Sequence, residues 1–452
     1  MSGQRDFTQG NIFKQLIVFS GPIMLTNLLQ ISYQIVDSLW VGNLLGATSL
    51  GAVAVSGTIV FTMLSFVIGL NNAALTILSQ QKGRKDEAGL KRYLNAFVVI
   101  LTVMSIGLGV VGFIFSEGLL TLLGTPSTML SSATSYLQIN FIGILFLFGY
   151  NFISTVLRAL GDSKTPMRFV LIAVLLNIVL DPLFIAVFNL GVKGAAYATI
   201  LSQGIAFLYG LIYVLYRKLA PFTIPYVPAA RDIRLILNLG IPAGLQMAVI
   251  SAGSAAIMSV VTGFGAHVVG GFSAAQRLDS IIMLPAQALS TAVSSMAGQN
   301  IGVQNWERVR KIANYGVIYN FCIMFVIGLL VVVLAQYGIQ LFIQDVDAVT
   351  FGTVYLQIIA LTYPFLGINF ILNGIVRAAG AMYQVLLLNI ISFWVLRFPF
   401  TTWFSNLFGE KGIAMGMGAS FMISSIIAFL YFRFGKWREK KLFTQKQQTS
   451  TQ

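Results

Sequence analysis

The sequence predicts an all-α polytopic membrane protein in which twelve transmembrane helices form two parallel six-helix repeats with a central cavity. Three observations carry this prediction. Of the 452 residues, 57% are apolar and only 9% are charged, whereas about 25% are charged in a typical soluble protein. Apolar stretches long enough to cross a bilayer recur along the whole chain. The second half of the chain also repeats the first at a nearly fixed offset.

Each apolar stretch contains about 20 residues or more, which lets it cross a hydrocarbon core of roughly 30 Å as a helix. The first stretch is too long for a signal-peptide core and has no small-residue cleavage site, so we expect it to be retained as a span. The predicted spans are about 14–40, 50–78, 93–115, 130–157, 166–188, 194–216, 234–261, 270–297, 312–336, 349–376, 383–407 and 411–435.

The basic residues report topology rather than nucleic-acid binding, although the net charge is +14. With the N-terminus in the cytoplasm, cytoplasmic segments hold all of the 28 Lys and Arg except Lys193, Arg277, Arg397 and Lys411. This bias fixes the orientation and attracts anionic lipid headgroups. We therefore expect a multi-pass protein with both termini cytoplasmic, with membrane lipids and no nucleic acid among its partners.

Tandem duplication explains the repeated motifs. Tyr-Leu-Gln-Ile at 136–139 returns at 355–358, and Arg-Ala-Leu-Gly at 158–161 returns as Arg-Ala-Ala-Gly at 377–380. Six spans per copy is an even number, so both copies enter the membrane from the same side. Further matches are Pro22 with Pro242, and Lys193 and Gly194 with Lys411 and Gly412.

The predicted domains follow from this duplication. They are an N-lobe over 1–216, a cytoplasmic linker over 217–233, a C-lobe over 234–435 and a cytoplasmic tail over 436–452. Prolines break helical continuity in the linker. Pro22 lies inside the first helix of the N-lobe, where it leaves one helical hydrogen bond unmade, and we predict a hinge there.

The chemistry of enzymes is not evident in the sequence. The chain has one Cys and one His, so an intrachain disulfide and a thiol metal cluster are excluded. A Walker-type glycine loop is also missing, which argues against a primary pump. We predict that the protein is not an enzyme and holds no cofactor.

Three carboxylates are predicted to lie within hydrocarbon, where a charge costs about 2.5–3.5 kcal/mol. They are Asp37, Asp181 and Asp279, and none of them is repeated; the counterpart of Asp37 is Ala256. Since each lobe has its own acids, the unrepeated residues point to function.

Depth along the spans brings five polar side chains together in the outer leaflet of the N-lobe. At 1.5 Å per residue they fall within a slab of roughly 15 Å. Two of them, Asn177 and Asp181, are four residues apart and share a helix face. The five are Asp37, Tyr136, Asn177, Asp181 and Thr199.

A polar stripe on span 1 adds to this set. Gln30, Tyr33 and Asp37 are spaced at i, i+3 and i+7, and Gln34 flanks them. Such a stripe faces protein or a water-filled cavity rather than lipid. We predict that Gln30, Tyr33, Gln34 and Tyr136 line a substrate cavity.

Two interpretations of Asp37 and Asp181 stay open. They could be helix-end carboxylates held by hydrogen bonds, or an ion-coupling site. Two carboxylates in a poorly hydrated cavity can share a proton. Together with Asn177 and Thr199 they also supply hard oxygen ligands for Na⁺. We predict cation coupling at these four residues, and the sequence does not choose between H⁺ and Na⁺.

The C-lobe carries its own buried charges, predicted at Arg277, Asp279 and Arg397. Arg397 lies in the middle of span 11 and needs a partner. We expect an ion pair between Asp279 and Arg397, with a substrate or gating role as the alternative.

Residues 30–37, residues 176–182 and the duplicated motifs at 158–161 and 377–380 together resemble the multidrug and toxic compound extrusion (MATE) family, and more closely its prokaryotic DinF-like branch. The resemblance covers all twelve spans. The acidic second-lobe sodium site of the NorM-like branch is not evident, which shifts coupling to the N-lobe.

The resemblance implies a secondary active antiporter in the inner (plasma) membrane of a bacterium. It would export bulky, often cationic drugs and xenobiotics in exchange for inward H⁺ or Na⁺, and we expect it to act as a monomer. The matched site residues are Asp37, Asn177, Asp181 and Thr199, with Tyr33 and Tyr136 beside them. The alternative is a lipid-linked oligosaccharide flippase of the same MOP superfamily, which usually lines its cavity with several cations.

Overall fold

The computed structural model describes residues 4–443, and its regular structure in that range is helical. Ten helices are long and apolar enough to cross a membrane, and two bent helix pairs bring the number to twelve. The predicted fold class is therefore confirmed. The helices are α1 (Ile12–Leu45), α2 (Ala47–Arg84), α3 (Glu87–Leu122), α4 (Ser127–Ile142), α5 (Ile144–Ala159), α6 (Lys164–Pro182), α7 (Val192–Tyr216), α8 (Ala230–Thr262), α9 (Ala266–Ile282), α10 (Leu284–Gly302), α11 (Trp306–Gln340), α12 (Val346–Ala360), α13 (Tyr363–Ala378), α14 (Met382–Ile390), α15 (Phe398–Phe408) and α16 (Lys411–Phe434).

Two spans contain a π-helical segment. Leu183–Val187 continues α6, and Ile391–Arg397 joins α14 to α15. A short 3₁₀-helix, Lys436–Glu439, follows α16, and its Trp437 is buried, with the indole N–H donating to the carbonyl of Phe432 at 2.9 Å. Of the predicted tail, residues 444–452 lie outside the described part of the chain.

The chain divides into two compact units, and the division falls inside helices. Unit 1 comprises the residues up to Asp6 together with Gly21–Ile241, and unit 2 comprises Phe7–Ser20 together with the residues from Pro242 onward. The division cuts α1 next to Pro22 and α8 at Pro242. The linker residues 217–233 belong to unit 1.

Two apolar clusters of unit 1 involve α4. The larger one joins α2 and α3 to the α4–α5 pair, with Leu137, Phe141 and Phe148 at its centre. The smaller cluster joins α1, α4 and α7 and includes Val41 and Tyr136. Tyr136 also belongs to the predicted site, so this cluster packs next to the site.

In unit 2, one large apolar cluster is formed mainly by α9, α12, α13 and α16. Phe272 of α9 and Tyr355 of α12 meet edge to face, with ring centroids 5.2 Å apart. Because lipid is as apolar as the side chains, such a pair stabilises the contact through close packing and its edge-to-face geometry rather than through burial alone.

The fourth span of each repeat is bent. The α4–α5 pair bends by 51° and the α12–α13 pair by 55°. A glycine on the preceding span lies against each bend: a Cβ on Gly109 would stand 3.0 Å from the carbonyl oxygen of Phe141, and one on Gly328 would stand 2.7 Å from that of Ala360. These repeat-matched glycines let the neighbouring backbone approach the bend closely.

Gly194 and Gly412, matched in the sequence, also have the same structural role. A Cβ on Gly194 would lie 2.7 Å from the carbonyl of Phe184, and one on Gly412 would lie 2.0 Å from the carbonyl oxygen of Phe404. Each glycine therefore lets the sixth span of its unit start in backbone contact with the fifth.

We expect Gly412→Ala to destabilise the protein by about 1–3 kcal/mol, because the methyl group overlaps backbone that cannot rotate away. The control is Gly107→Ala, since a Cβ at that helical position meets no atom within 4 Å. Thermal unfolding of both purified variants in detergent measures the difference. An unfolding midpoint for Gly412→Ala equal to that of the control would contradict this packing role.

Candidate functional site

Two acids from different spans meet inside unit 1. Asp37 of α1 is 8% exposed and Asp181 of α6 is fully buried. Their carboxyl groups lie close enough to interact electrostatically. Two carboxylates this close repel each other unless one of them carries a proton or a cation lies between them.

Asn177 holds one of these acids in place. Its Nδ2 donates a hydrogen bond to Oδ1 of Asp181 at 3.0 Å, one helical turn along α6. The amide is itself fully buried. Because the donor is engaged with Asp181, the amide oxygen Oδ1 stays free to accept a proton donor or to ligate a cation.

Three further side chains complete the cluster. The hydroxyl of Tyr33, one turn before Asp37 on α1, lies beside the hydroxyl of Thr199 on α7. Tyr136 of α4 is buried and within electrostatic range of both carboxylates. The structure thus brings together the residues predicted for cation coupling, with Tyr33 and Tyr136 next to them.

This cluster, which we call the N-site, contains oxygens whose hydrogen-bonding capacity is unused. Buried polar atoms are bonded in the great majority of cases, so five partnerless oxygens in one place are unusual. Among residues 4–443, neither acid has a basic partner in a salt bridge. The five atoms are Tyr33 Oη, Asp37 Oδ1, Asn177 Oδ1, Asp181 Oδ2 and Thr199 Oγ1.

The donor set limits what the N-site can bind. Within the described residues, no three side chains of His, Cys, Asp or Glu are grouped to hold a metal ion. Two carboxylates with neutral amide and hydroxyl oxygens suit a proton or a hard monovalent cation, not a soft transition metal.

The remaining residues of the predicted stripe on α1 are placed differently. Gln30 is half-buried and lies beside the hydroxyl of Tyr150 on α5. Gln34 is exposed on the surface of unit 1. Pro22 is inside α1, well before the N-site on the same helix, and next to the division between the units.

The predicted ion pair of the C-lobe is not formed. Oδ1 of Asp279 accepts a hydrogen bond from the hydroxyl of Tyr363, and the guanidinium of Arg397 stacks on aromatic rings instead. Arg277, predicted to be buried, is exposed, and its guanidinium lies 5.8 Å from the ring centroid of Phe342. Helix spacing alone does not determine which way these side chains point.

Tyr363 was missed by sequence reasoning. It is the first residue of α13, directly after the bend that follows α12, so the bend directs its hydroxyl toward Asp279 on α9. Its repeat partner is Ile144. The comparison that singled out Asp37 would therefore have found it, had hydroxyl groups been searched as well as acids.

Comparison with known proteins gives consistent results along the whole chain. The sequence profile of the MatE family matches residues 22–183 and again residues 242–403. The probable multidrug resistance protein YpnP of Bacillus subtilis (strain 168) is 65% identical over 441 residues, which are 98% of this chain and 99% of YpnP. The probable multidrug resistance protein YoeA of the same organism is 28% identical over 444 residues, 96% of each chain.

A solved structure has the same fold. The outward-facing conformation of a multidrug resistance MATE family transporter of the MOP superfamily superposes with a TM-score of 0.89 at 22% identity. The match covers 94% of this chain and 96% of that one.

Neutralising one acid of the N-site should stabilise the protein at high pH. Adjacent unit charges repel by about 1–4 kcal/mol at the dielectric constants that apply between water and a protein surface. We therefore expect Asp181→Asn to raise the unfolding midpoint at pH 8, and the same measurement at pH 5 shows whether the gain depends on the ionisation of the acids. Glu117→Gln, an exposed acid of the same unit, is the control. If the unfolding midpoint of Asp181→Asn is lower than that of the wild type by the same amount at pH 5 and pH 8, the two carboxylates do not repel each other.

Proposed function

Since the chain belongs to the MatE family of membrane transporters, we propose that it exports bulky, often cationic organic compounds in exchange for inward H⁺ or Na⁺, with coupling at the N-site. Members of this family are transporters, and the relatives carry names for multidrug resistance. The ion, the role of the acids and the cationic character of the cargo are the parts that we propose.

The observation that supports this proposal is the pairing of Asp37 and Asp181 without a basic partner. A buried charge is costly in hydrocarbon, and two like charges side by side are more costly still. An ion taken up from outside balances them, and its release to the cytoplasm leaves them unbalanced again. The protein thereby has two states that differ in ion affinity, which exchange requires.

Within the N-site the residues have separate tasks. Asp37 and Asp181 carry the charge that the ion neutralises. Asn177 fixes the orientation of Asp181 through the bond to Oδ1, and Thr199 and Tyr33 offer neutral oxygens around the pair. A hinge at Pro22 would let α1 carry Asp37 toward or away from Asp181, because the proline leaves a helical hydrogen bond unmade.

We expect Asp37→Asn to lower ion-driven export of a cationic dye by about tenfold or more, which corresponds to about 1.4 kcal/mol. The amide keeps the shape of the side chain and removes its charge. The measurement is dye accumulation in everted vesicles under an imposed pH gradient or an imposed Na⁺ gradient, which also identifies the ion. Glu117→Gln is the control for charge removal in the same unit. Full export by Asp37→Asn at equal expression would refute coupling at this residue.

The acids should act as one unit rather than two. Groups that share one ion have non-additive effects, so the double variant Asp37→Asn with Asp181→Asn should export little less than either single variant. A double-mutant cycle tests this by comparing the initial transport rates of the wild type, both single variants and the double variant in the same vesicles. If the fold-loss in rate of the double variant equals the product of the two single losses, the two acids act in independent steps.

A further inference from the structure

We propose that Arg397 forms an anion-recognition site in unit 2, which binds the carboxylate or phosphate group of a transported molecule. This inference rests on the proposed export function and deepens it, because it adds zwitterionic and anionic compounds to the cargo.

Arg397 is buried against aromatic rings and has an unused hydrogen-bond donor. The side chain is 7% exposed. Its Cζ lies 3.8 Å from the ring centroid of Phe393 and 4.5 Å from that of Phe421. Within the described residues it has no salt bridge to an acid, and its Nε has no hydrogen-bond acceptor.

Aromatic contact does not by itself balance this charge. A cation over an aromatic ring gains about 0.5–2 kcal/mol, whereas removing one partner from a buried ion pair costs about 3–5 kcal/mol. The N–H donors of a guanidinium lie in its plane and are not used by the contacts with the rings. That plane is where a carboxylate or phosphate binds with two parallel hydrogen bonds.

The fold fixes this orientation. Arg397 ends the π-helical segment Ile391–Arg397, and such segments occur frequently at functional sites. Ser424 Oγ of α16 donates to Ser392 Oγ at 2.9 Å, which ties the segment to α16. Gly253 of α8 accommodates the ring of Phe393, since a Cβ there would stand 2.7 Å from Cδ1 of that ring.

Depth argues for cargo rather than lipid as the source of the anion. The span Met382–Phe408 places Arg397 about 16 Å from one end and about 22 Å from the other at 1.5 Å per residue. A phosphate of either headgroup layer therefore lies beyond the reach of the side chain.

The repeat adds an independent observation. Asp181 directly precedes Pro182 in the fifth span of unit 1, and Arg397 stands two residues before Pro399 in the corresponding span of unit 2. Arg397 therefore lies near, but not at, the position that matches Asp181, which is Phe400 at the repeat offset of 219. The fifth span of unit 1 carries an acid and the corresponding span of unit 2 carries a base.

The test uses a matched pair of probes: a xanthylium dye with a free aromatic carboxylate, and its methyl ester. Binding to the purified protein in nanodiscs is measured by fluorescence anisotropy. We expect Arg397→Gln to weaken binding of the carboxylate dye by about tenfold or more, as the loss of a charge-assisted hydrogen bond predicts, and to leave the ester unaffected. Arg277→Gln, an exposed arginine of the same unit, should change neither affinity.

Three further arms keep the inference falsifiable. With the wild-type protein, benzoate should compete with the carboxylate dye and benzamide should not. If Arg397→Gln does not fold, Arg397→Lys retains the charge, loses the planar fork and should weaken only the carboxylate dye. Equal losses for both dyes, or none for either, would overturn the proposal. Displacement of the carboxylate dye by anionic lipid in the nanodisc would overturn it too, because the source would then be lipid.

These outcomes are separate from those of the export function. Selective binding of the carboxylate dye without ion-driven export would refute the proposed function and leave the anion site standing. Ion-driven export of the ester, together with equal effects of Arg397→Gln on binding of both dyes, would support the export function and refute the anion site.

Discussion

Hydrocarbon offers a backbone no hydrogen-bond partner, so each span of this chain has to satisfy its own N–H and C=O groups as a helix. Departures from the regular helix are therefore informative. The bends between α4 and α5 and between α12 and α13, and the π-helical segments of the fifth and eleventh spans, are such departures. The segment at 183–187 begins two residues after Asp181, and the one at 391–397 ends at Arg397. Tyr363 directly follows the α12–α13 bend. The backbone is irregular where the polar chemistry is placed.

The same constraint governs the charged side chains, and the two units meet it in different ways. In unit 1 two acids lie close together without a basic partner in a salt bridge among the described residues. In unit 2 Asp279 accepts a hydrogen bond from a tyrosine hydroxyl, and Arg397 lies against two phenylalanine rings. A duplicated scaffold thus supports two unlike polar centres. Because the scaffold glycines repeat while Asp37, Asp181, Asp279 and Arg397 do not, the polar centres have diverged more than the packing.

Much of this could be predicted from the sequence. Hydropathy gave the twelve spans, since the length of a membrane helix is set by the bilayer. The matched pair Gly194 and Gly412 proved to be a matched backbone contact. Depth along the spans was enough to place four polar residues together, because residues at one depth on neighbouring helices can meet. The structure brings these four together in unit 1: Asp37, Asn177, Asp181 and Thr199.

What could not be predicted depends on the rotation of helices about their axes. The pair expected between Asp279 and Arg397 required knowing which side of each helix faces the other, and a π-helical segment changes that phase within one turn. The division between the units was equally out of reach. Pro22 and Pro242 marked where α1 and α8 could bend, but only the packing of residues 7–20 and 230–241 shows which unit they belong to.

The division of the chain into two units has consequences for its evolution by duplication and for cutting it into halves. Residues 7–20 group with unit 2 and residues 230–241 group with unit 1, so each repeat gives its first helical turns to the other. Two copies of a half-length ancestor arranged in this way would have been a domain-swapped dimer, and gene fusion would have preserved the swap. For the present chain, a cut in the linker leaves two halves that are each incomplete, and reassembly has to be a joint folding event.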